Sequence, residues 1–215
     1  MTPQERCNRL IEWFEVNMPD PRSELNYGSD YELLVAVMLS AQCTDKRVNM
    51  VTTSFFETFP TVEKLAKASQ AEVLNQIRSI SYPNNKARHL VAMAQQVMTE
   101  FDGKIPADAE TLQTLKGVGR KTANVVASII HHQPVMAVDT HVFRVAERYG
   151  LTTNSKSPLE TEKILTELFP KALLPKAHHW LILHGRYVCM ARKPSCDACG
   201  LRSWCRYVEH HPIQH

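Results

Sequence analysis

Leu115-Lys116-Gly117-Val118-Gly119-Arg120-Lys121-Thr122-Ala123 is the segment on which the reading of this 215-residue chain turns. Ahead of it, Asp108 to Leu115 reads as a short helix. Behind it, Val125, Val126, Ile129 and Ile130 fall on one face of a second helix. Between the two lies a tight turn with two glycines. Glycine at 117 and 119 lets the backbone take positive φ and come close to another molecule. The amides that open the second helix, from Gly117 through Val118 and Gly119 to Arg120, lack intrahelical partners and form an anion site. Two glycines in a turn are common, so on spacing alone a plain corner between helices explains the segment equally well.

The sharper reading is a helix-hairpin-helix, whose amides hold one DNA phosphate without reading sequence. Lys121 falls in the first turn of the second helix. A cation there opposes the helix dipole at a cost of about 0.3–1 kcal/mol if exposed. A lysine in its neutral form is a nucleophile for carbon. The plainer alternative is an exposed lysine, or a point charge set against phosphate. Further on stands Val138-Asp139-Thr140-His141-Val142-Phe143-Arg144-Val145. Asp139 suits the N-cap of a helix that runs to Tyr149 and stops at Gly150. It also suits a catalytic carboxylate. The two roles compete, because backbone amides hold a capping side chain.

Outward from this centre, the apolar spacing stays helical. Leu10, Ile11, Trp13 and Phe14 mark a first helix, closed by Met18-Pro19-Asp20-Pro21. Tyr31 to Ser40 forms another, with Ser29 or Asp30 as N-cap. Thr61 to Ala68 is short, and Ser69 with Glu72 has capping-box spacing. Asn85 to Phe101 carries Leu90, Val91, Ala94, Val97 and Met98 on one face. Ser157, Pro158 and Glu160 open a further helix, and Ala177 to His184 is a late one. Strand-type alternation is weak, with Pro134 to Val138 its only rival. An all-α fold follows.

Composition is that of an ordinary soluble globular protein, 44% hydrophobic and 22% charged. No apolar run approaches the roughly 20 residues of a membrane span. Met1 to Arg9 is polar, without a signal-peptide core, so a cytoplasmic protein is the default expectation. A net charge of +3 permits nucleic-acid binding without predicting it. Four of the six cysteines, Cys189, Cys196, Cys199 and Cys205, crowd the last 30 residues or so, which reads as a metal site before disulfides. The spacing leaves zinc and a [4Fe–4S] cluster both open, since each takes four thiolates. Only one Cys-x2-Cys knuckle is present, where zinc ribbons pair two. Cys7 and Cys43 read as small buried hydrophobes. His178, His179 and His184 read as packed and hydrogen-bonded residues.

Taken together, the hairpin segment, the Val138–Val145 segment and the Cys-x6-Cys-x2-Cys-x5-Cys spacing resemble the endonuclease III family. Leu39-Ser40-Ala41-Gln42-Cys43-Thr44-Asp45 and His179-Trp180-Leu181-Ile182-Leu183-His184-Gly185-Arg186 resemble it too. The matches run in order from about Tyr31 to Cys205. The resemblance implies two helical domains with double-stranded DNA between them. Residues 23–132 would form a six-helix barrel with the hairpin. Residues 1–22 and 133–215 would form a domain holding a [4Fe–4S] cluster on Cys189, Cys196, Cys199 and Cys205. It implies removal of oxidised pyrimidines and strand cleavage by a monomer, with Lys121 as Schiff-base lysine and Asp139 as catalytic aspartate. Gln42 aligns with a residue that fills the hole left by a flipped base, and Tyr82 lies where the family places a wedge. Arg192 and Lys193, between the first two cysteines, would face phosphate. Serine and proline flank Tyr82 where glycine and an aromatic are usual, and Lys116 stands in place of a proline. The rival within the superfamily, an adenine mismatch glycosylase, usually lacks the lysine. A rival of another class is a non-catalytic iron–sulfur DNA-binding protein.

Overall fold

The computed structural model describes residues 1–211, and in them the chain forms two compact units. One comprises Ser23–Gln133. The other joins Met1–Arg22 to Pro134–His215. Among the described residues there are twelve α-helices and three short 3₁₀ turns, and no strand. Pro134 to Val138 forms no strand.

The Ser23–Gln133 unit is built around α2 (Asp30–Ser40). Ser29 accepts from the Glu32 amide and caps it. Every residue from Leu33 to Leu39 is buried, so this helix is apolar on all sides and packs as a central rod. Around it lie α3 (Asp45–Thr58), α6 (Pro83–Glu100) and α8 (Arg120–His131). The short helices α4 (Val62–Ala66) and α5 (Gln70–Gln76) pack on α6, and α7 (Ala109–Leu112) packs on α8. The helix α3 is absent from the sequence reading. Its signal was present: Val48, Val51 and Phe55 share a face and are buried, and Thr44 caps its start. Ser69 and Glu72 form the reciprocal capping box that their spacing suggests.

In the other unit, α1 (Pro3–Asn17) lies with α9 (Thr140–Tyr149), α10 (Pro158–Leu168), α11 (Leu174–Tyr187) and α12 (Arg206–His210). Phe14 stacks on Trp180 with centroids 5.4 Å apart, and the indole N–H donates to the Met18 carbonyl at 2.8 Å. Arg6 is buried, donates to the Trp204 carbonyl and pairs with Glu209 at 2.7 Å. That pair ties the two ends of the chain into one core. At α10 a capping box is only half made. Ser157 accepts from the Glu160 amide, but the Glu160 carboxylate accepts from Lys156 instead of from Ser157.

Candidate active site

The glycine turn connects α7 to α8. Asp108 caps α7, its Oδ1 accepting from the Thr111 amide at 2.8 Å. Gly117 has φ +77°, and a Cβ there would lie 2.5 Å from Cβ of His89 on α6. Glycine is therefore required twice over, by backbone angle and by space. Gly119 differs from the sequence expectation. Its φ is −90°, an ordinary extended value, and a Cβ there would meet nothing within 4 Å. Its lack of a side chain leaves open space beside the backbone. As N-cap of α8 it offers no side chain to the amides of the first turn. Asp139, by contrast, caps α9 fully.

Val118 is buried, and its amide donates to the Leu115 carbonyl at 3.1 Å, so it plugs the turn from within. Lys116, Gly117, Gly119, Arg120 and Lys121 are exposed. Gln96 of α6 clamps the turn: its side chain donates to the Thr114 carbonyl at 3.2 Å and accepts from the Lys116 amide at 3.0 Å. Neither Gln96 nor His89 was singled out from sequence. Nothing in the local pattern marks them, because their partners lie 18 to 28 residues away. Lys121 stands at the second position of α8, beside amides that no side chain caps.

In the same unit, Gln42 and Tyr82 both have left-handed backbones, at φ 55° and 56°. Tyr82 is 61% exposed and precedes Pro83 at the start of α6. The Ser81 hydroxyl donates to the Gln42 carbonyl at 2.7 Å, so the two loops touch.

In the terminal unit, Asp139 Oδ1 accepts from the amides of both His141 and Val142 at 2.8 Å. Both capping bonds fall on one oxygen. Oδ2 carries no hydrogen bond among the described residues, so capping leaves half of the carboxylate available as an acceptor.

The four cysteines also lie in this unit. Cys189 follows α11, Cys196 opens a 3₁₀ turn that Cys199 closes, and Cys205 precedes α12. Among the described residues, no three His, Cys, Asp or Glu side chains gather closely enough to hold a single metal ion. The four thiols line one cavity of about 30 Å³. Burial pushes the Cys199 thiol up to about 11, and the neighbouring cysteines push it the same way. Cys196 and Cys205 are raised by burial and by the same neighbours. Four ionised thiols on one small cavity repel one another unless a cationic group joins them. The Tyr149 hydroxyl is buried without a partner and lines the same cavity, as a donor awaiting an acceptor would. The donor set therefore fits a cluster. His184 approaches Cys199 Sγ to 3.7 Å and stacks edge-on against Phe14, and burial holds it near pKa 4. His178 bonds the Ala137 carbonyl at 2.9 Å. Arg192 and Lys193 are exposed on the loop between the first two cysteines.

Residues 35–171 match the model of the HhH-GPD superfamily base excision DNA repair protein, and residues 189–205 match the iron-sulfur binding domain of endonuclease III. Endonuclease III of Rickettsia felis is 48% identical over 200 residues, 93% of each chain. The chain belongs to the endonuclease III family. Endonuclease III of Escherichia coli K12 is 40% identical, across 90% of this chain and 91% of the relative. A solved structure of a trapped endonuclease III–DNA covalent intermediate superposes with a TM-score of 0.89, at 39% identity and 98% coverage of both chains. As a member of the endonuclease III family, the protein is a DNA glycosylase and abasic-site lyase. Its terminal cysteines belong to the iron–sulfur domain of that family, which carries a [4Fe–4S] cluster. None of the described helices is long and apolar enough to cross a membrane.

Proposed function

We propose that Lys121 is the nucleophile that removes oxidised pyrimidines from double-stranded DNA and then cuts the strand. The observation that carries this assignment is its position: an exposed amine in the first turn of α8, directly behind a glycine turn whose following amides have no side-chain cap. A phosphate held by the backbone at Gly117, Gly119 and Arg120, the Val118 amide being taken by the Leu115 carbonyl, would set the DNA strand against that amine. Flipping the damaged nucleotide out of the stack costs a few kcal/mol, least where pairing is already weak.

The neutral amine then forms a bond to the sugar C1′ as the bond from C1′ to the base breaks. The base leaves with the electron pair and picks up a proton. Asp139, through Oδ2, takes the proton that the amine gives up and balances positive charge on the sugar. The C1′–O4′ bond then opens, O4′ leaving with the electron pair and taking up a proton, and the imine so formed at C1′ acidifies the C2′–H. Its loss expels the 3′ phosphate, which is β-elimination. Gln42 and Tyr82 enter the helix where the nucleotide has left, Tyr82 by stacking. Arg192 and Lys193 hold phosphate at a distance from the chemistry. Cys189, Cys196, Cys199 and Cys205 would hold the [4Fe–4S] cluster, whose contribution would be structural, fixing the loop that carries those two cations. A cytoplasmic enzyme associated with the nucleoid fits these roles.

Borohydride trapping on abasic-site DNA tests the assignment. The native protein is expected to give a covalent adduct, and Lys121→Gln none. A native protein that traps nothing, or a Lys121→Gln variant that still traps, would overturn it.

A further inference from the structure

We infer that Ser81 and Lys86 are positioning residues that lock the Gln42 loop and the Tyr82 loop into one preformed wedge. This rests on the reading, proposed above, that Gln42 and Tyr82 enter the duplex. Three observations carry it, all within the Ser23–Gln133 unit. First, Gln42 and Tyr82 share the left-handed backbone, which neither side chain favours and which persists only where the surroundings impose it. Second, the loops are tied directly, the Ser81 hydroxyl donating to the Gln42 carbonyl at 2.7 Å. Third, Lys86, in the first turn of α6, reaches the end of α2 just before Gln42. Its Nζ donates to the Leu39 carbonyl at 2.8 Å and to the Ala41 carbonyl at 2.6 Å.

The Lys86 bonds have a clear physical logic. The C-terminal carbonyls of α2 have no helical partners and carry the negative end of its dipole. An ammonium set there satisfies two acceptors and fixes where α2 ends. Gln42 lies two residues past that end, and Tyr82 lies four residues before Lys86. Ser81 then closes the short ring on its other side. A planar ring and an amide side chain are thus held at a fixed separation before DNA arrives. A wedge that must first be ordered binds less well by the cost of ordering it.

The reading predicts that the brace matters only when a base pair has to be opened. Base release is measured in single turnover on two substrates: an oxidised pyrimidine opposite its pairing partner, and the same lesion in an unpaired bubble. For Ser81→Ala the ratio of the paired to the unpaired rate should fall about tenfold, one step of about 1.4 kcal/mol and the scale of a single hydrogen bond. Lys86→Met should lower it at least as far. Ser81→Thr, which keeps the hydroxyl, should restore the native ratio. In a Gln42→Ala, Tyr82→Ala background, Ser81→Ala should lower the ratio no further, an outcome that a merely structural hydroxyl would not give. Ser81→Ala removes one surface hydroxyl and carries the test alone if Lys86→Met fails to fold. A native ratio in Ser81→Ala, with a reduced one in Gln42→Ala, refutes the brace and keeps the wedge. Native ratios in Gln42→Ala and Tyr82→Ala refute the wedge, and the brace loses its function with it.

Discussion

Gly117 and Gly119 stand two residues apart in one turn, and the structure assigns them opposite consequences. For Gly117→Ala, two costs add. A left-handed backbone costs an L-residue about 1–2 kcal/mol. The new Cβ would also lie 2.5 Å from the His89 Cβ, and relieving such overpacking costs about 1–3 kcal/mol. The sum is about 2–5 kcal/mol, a large share of the 5–15 kcal/mol typical of a domain. Trimming His89 to alanine would not relieve it, because the nearest atom is the Cβ that alanine retains. For Gly119→Ala the backbone is already in an ordinary region, and the Cβ meets nothing. Alanine is a poorer N-cap than glycine, by about 0.5–1 kcal/mol. The lower entropy of its unfolded chain offsets about 0.4–1 kcal/mol. Stability should therefore change little. That same Cβ would stand beside the amides proposed to meet phosphate, so affinity for DNA with an abasic-site analogue should drop about tenfold or more, the loss of at least one charge-assisted hydrogen bond. Urea unfolding followed by circular dichroism gives the first quantity and fluorescence anisotropy gives the second. The two variants should rank in opposite orders in the two assays. If Gly117→Ala unfolds at the native midpoint, the steric reasoning is wrong; if Gly119→Ala binds like the native protein, the phosphate is held elsewhere.

Asp139 separates its two roles by substitution. Asparagine caps helices about as well as aspartate, so Asp139→Asn should melt near the native protein while turnover falls about 10²–10⁴-fold. Asp139→Ala should also lose about 1 kcal/mol of stability, and native turnover in Asp139→Asn would remove the carboxylate from the mechanism. Arg192→Ala and Lys193→Ala should each weaken DNA binding across sequences and flatten the slope of log K against log salt by about one. Unchanged slopes would mean that the loop does not reach phosphate. The purified protein should be brown and hold four iron atoms per chain by metal analysis. One zinc per chain and no colour would refute the cluster assignment.

What could be read from sequence was local. Helix starts were legible because Ser29, Ser69, Asp108 and Asp139 each accept from amides two or three residues ahead, a contact that spacing alone encodes. The glycine turn was legible as a turn, but not the division of labour within it. Only the position of His89 on α6 shows that Gly117 is crowded and Gly119 is not. The clamp by Gln96 on Thr114 and Lys116, and the Ser81 bond to Gln42, span 18 to 39 residues. No periodicity carries such pairings, because they depend on how helices stack. The helix α3 was legible in principle from Val48, Val51 and Phe55, but its polar run of threonines and serine masks the stripe.

The cysteine loop bears on the chemistry through α9. Arg144 and Arg148 are four residues apart, so they project from one face of that helix. Arg144 donates to the carbonyls of Gly185, at 2.7 Å, and Cys189, at 3.0 Å. Arg148 donates to those of Met190, at 2.7 Å, and Ala191, at 3.0 Å, and approaches Cys189 Sγ to 3.8 Å. Hydrogen bonds from charged donors contribute about 1.5–3 kcal/mol each, toward the lower figure where solvent reaches them. Residues 190–195 form no regular element, and the bond from the Ser195 amide to the Val188 carbonyl, at 2.9 Å, closes the loop at its base. Its shape therefore depends on the Arg148 bonds, on that closure and on what joins Cys189 to Cys196. Asp139 caps the N-terminal end of the same helix. The helix tied to the cysteine loop through Arg144 and Arg148 is thus the helix that Asp139 caps. On the roles proposed above, loosening the loop is expected to disturb both the phosphate contacts of Arg192 and Lys193 and, through α9, the Asp139 carboxylate.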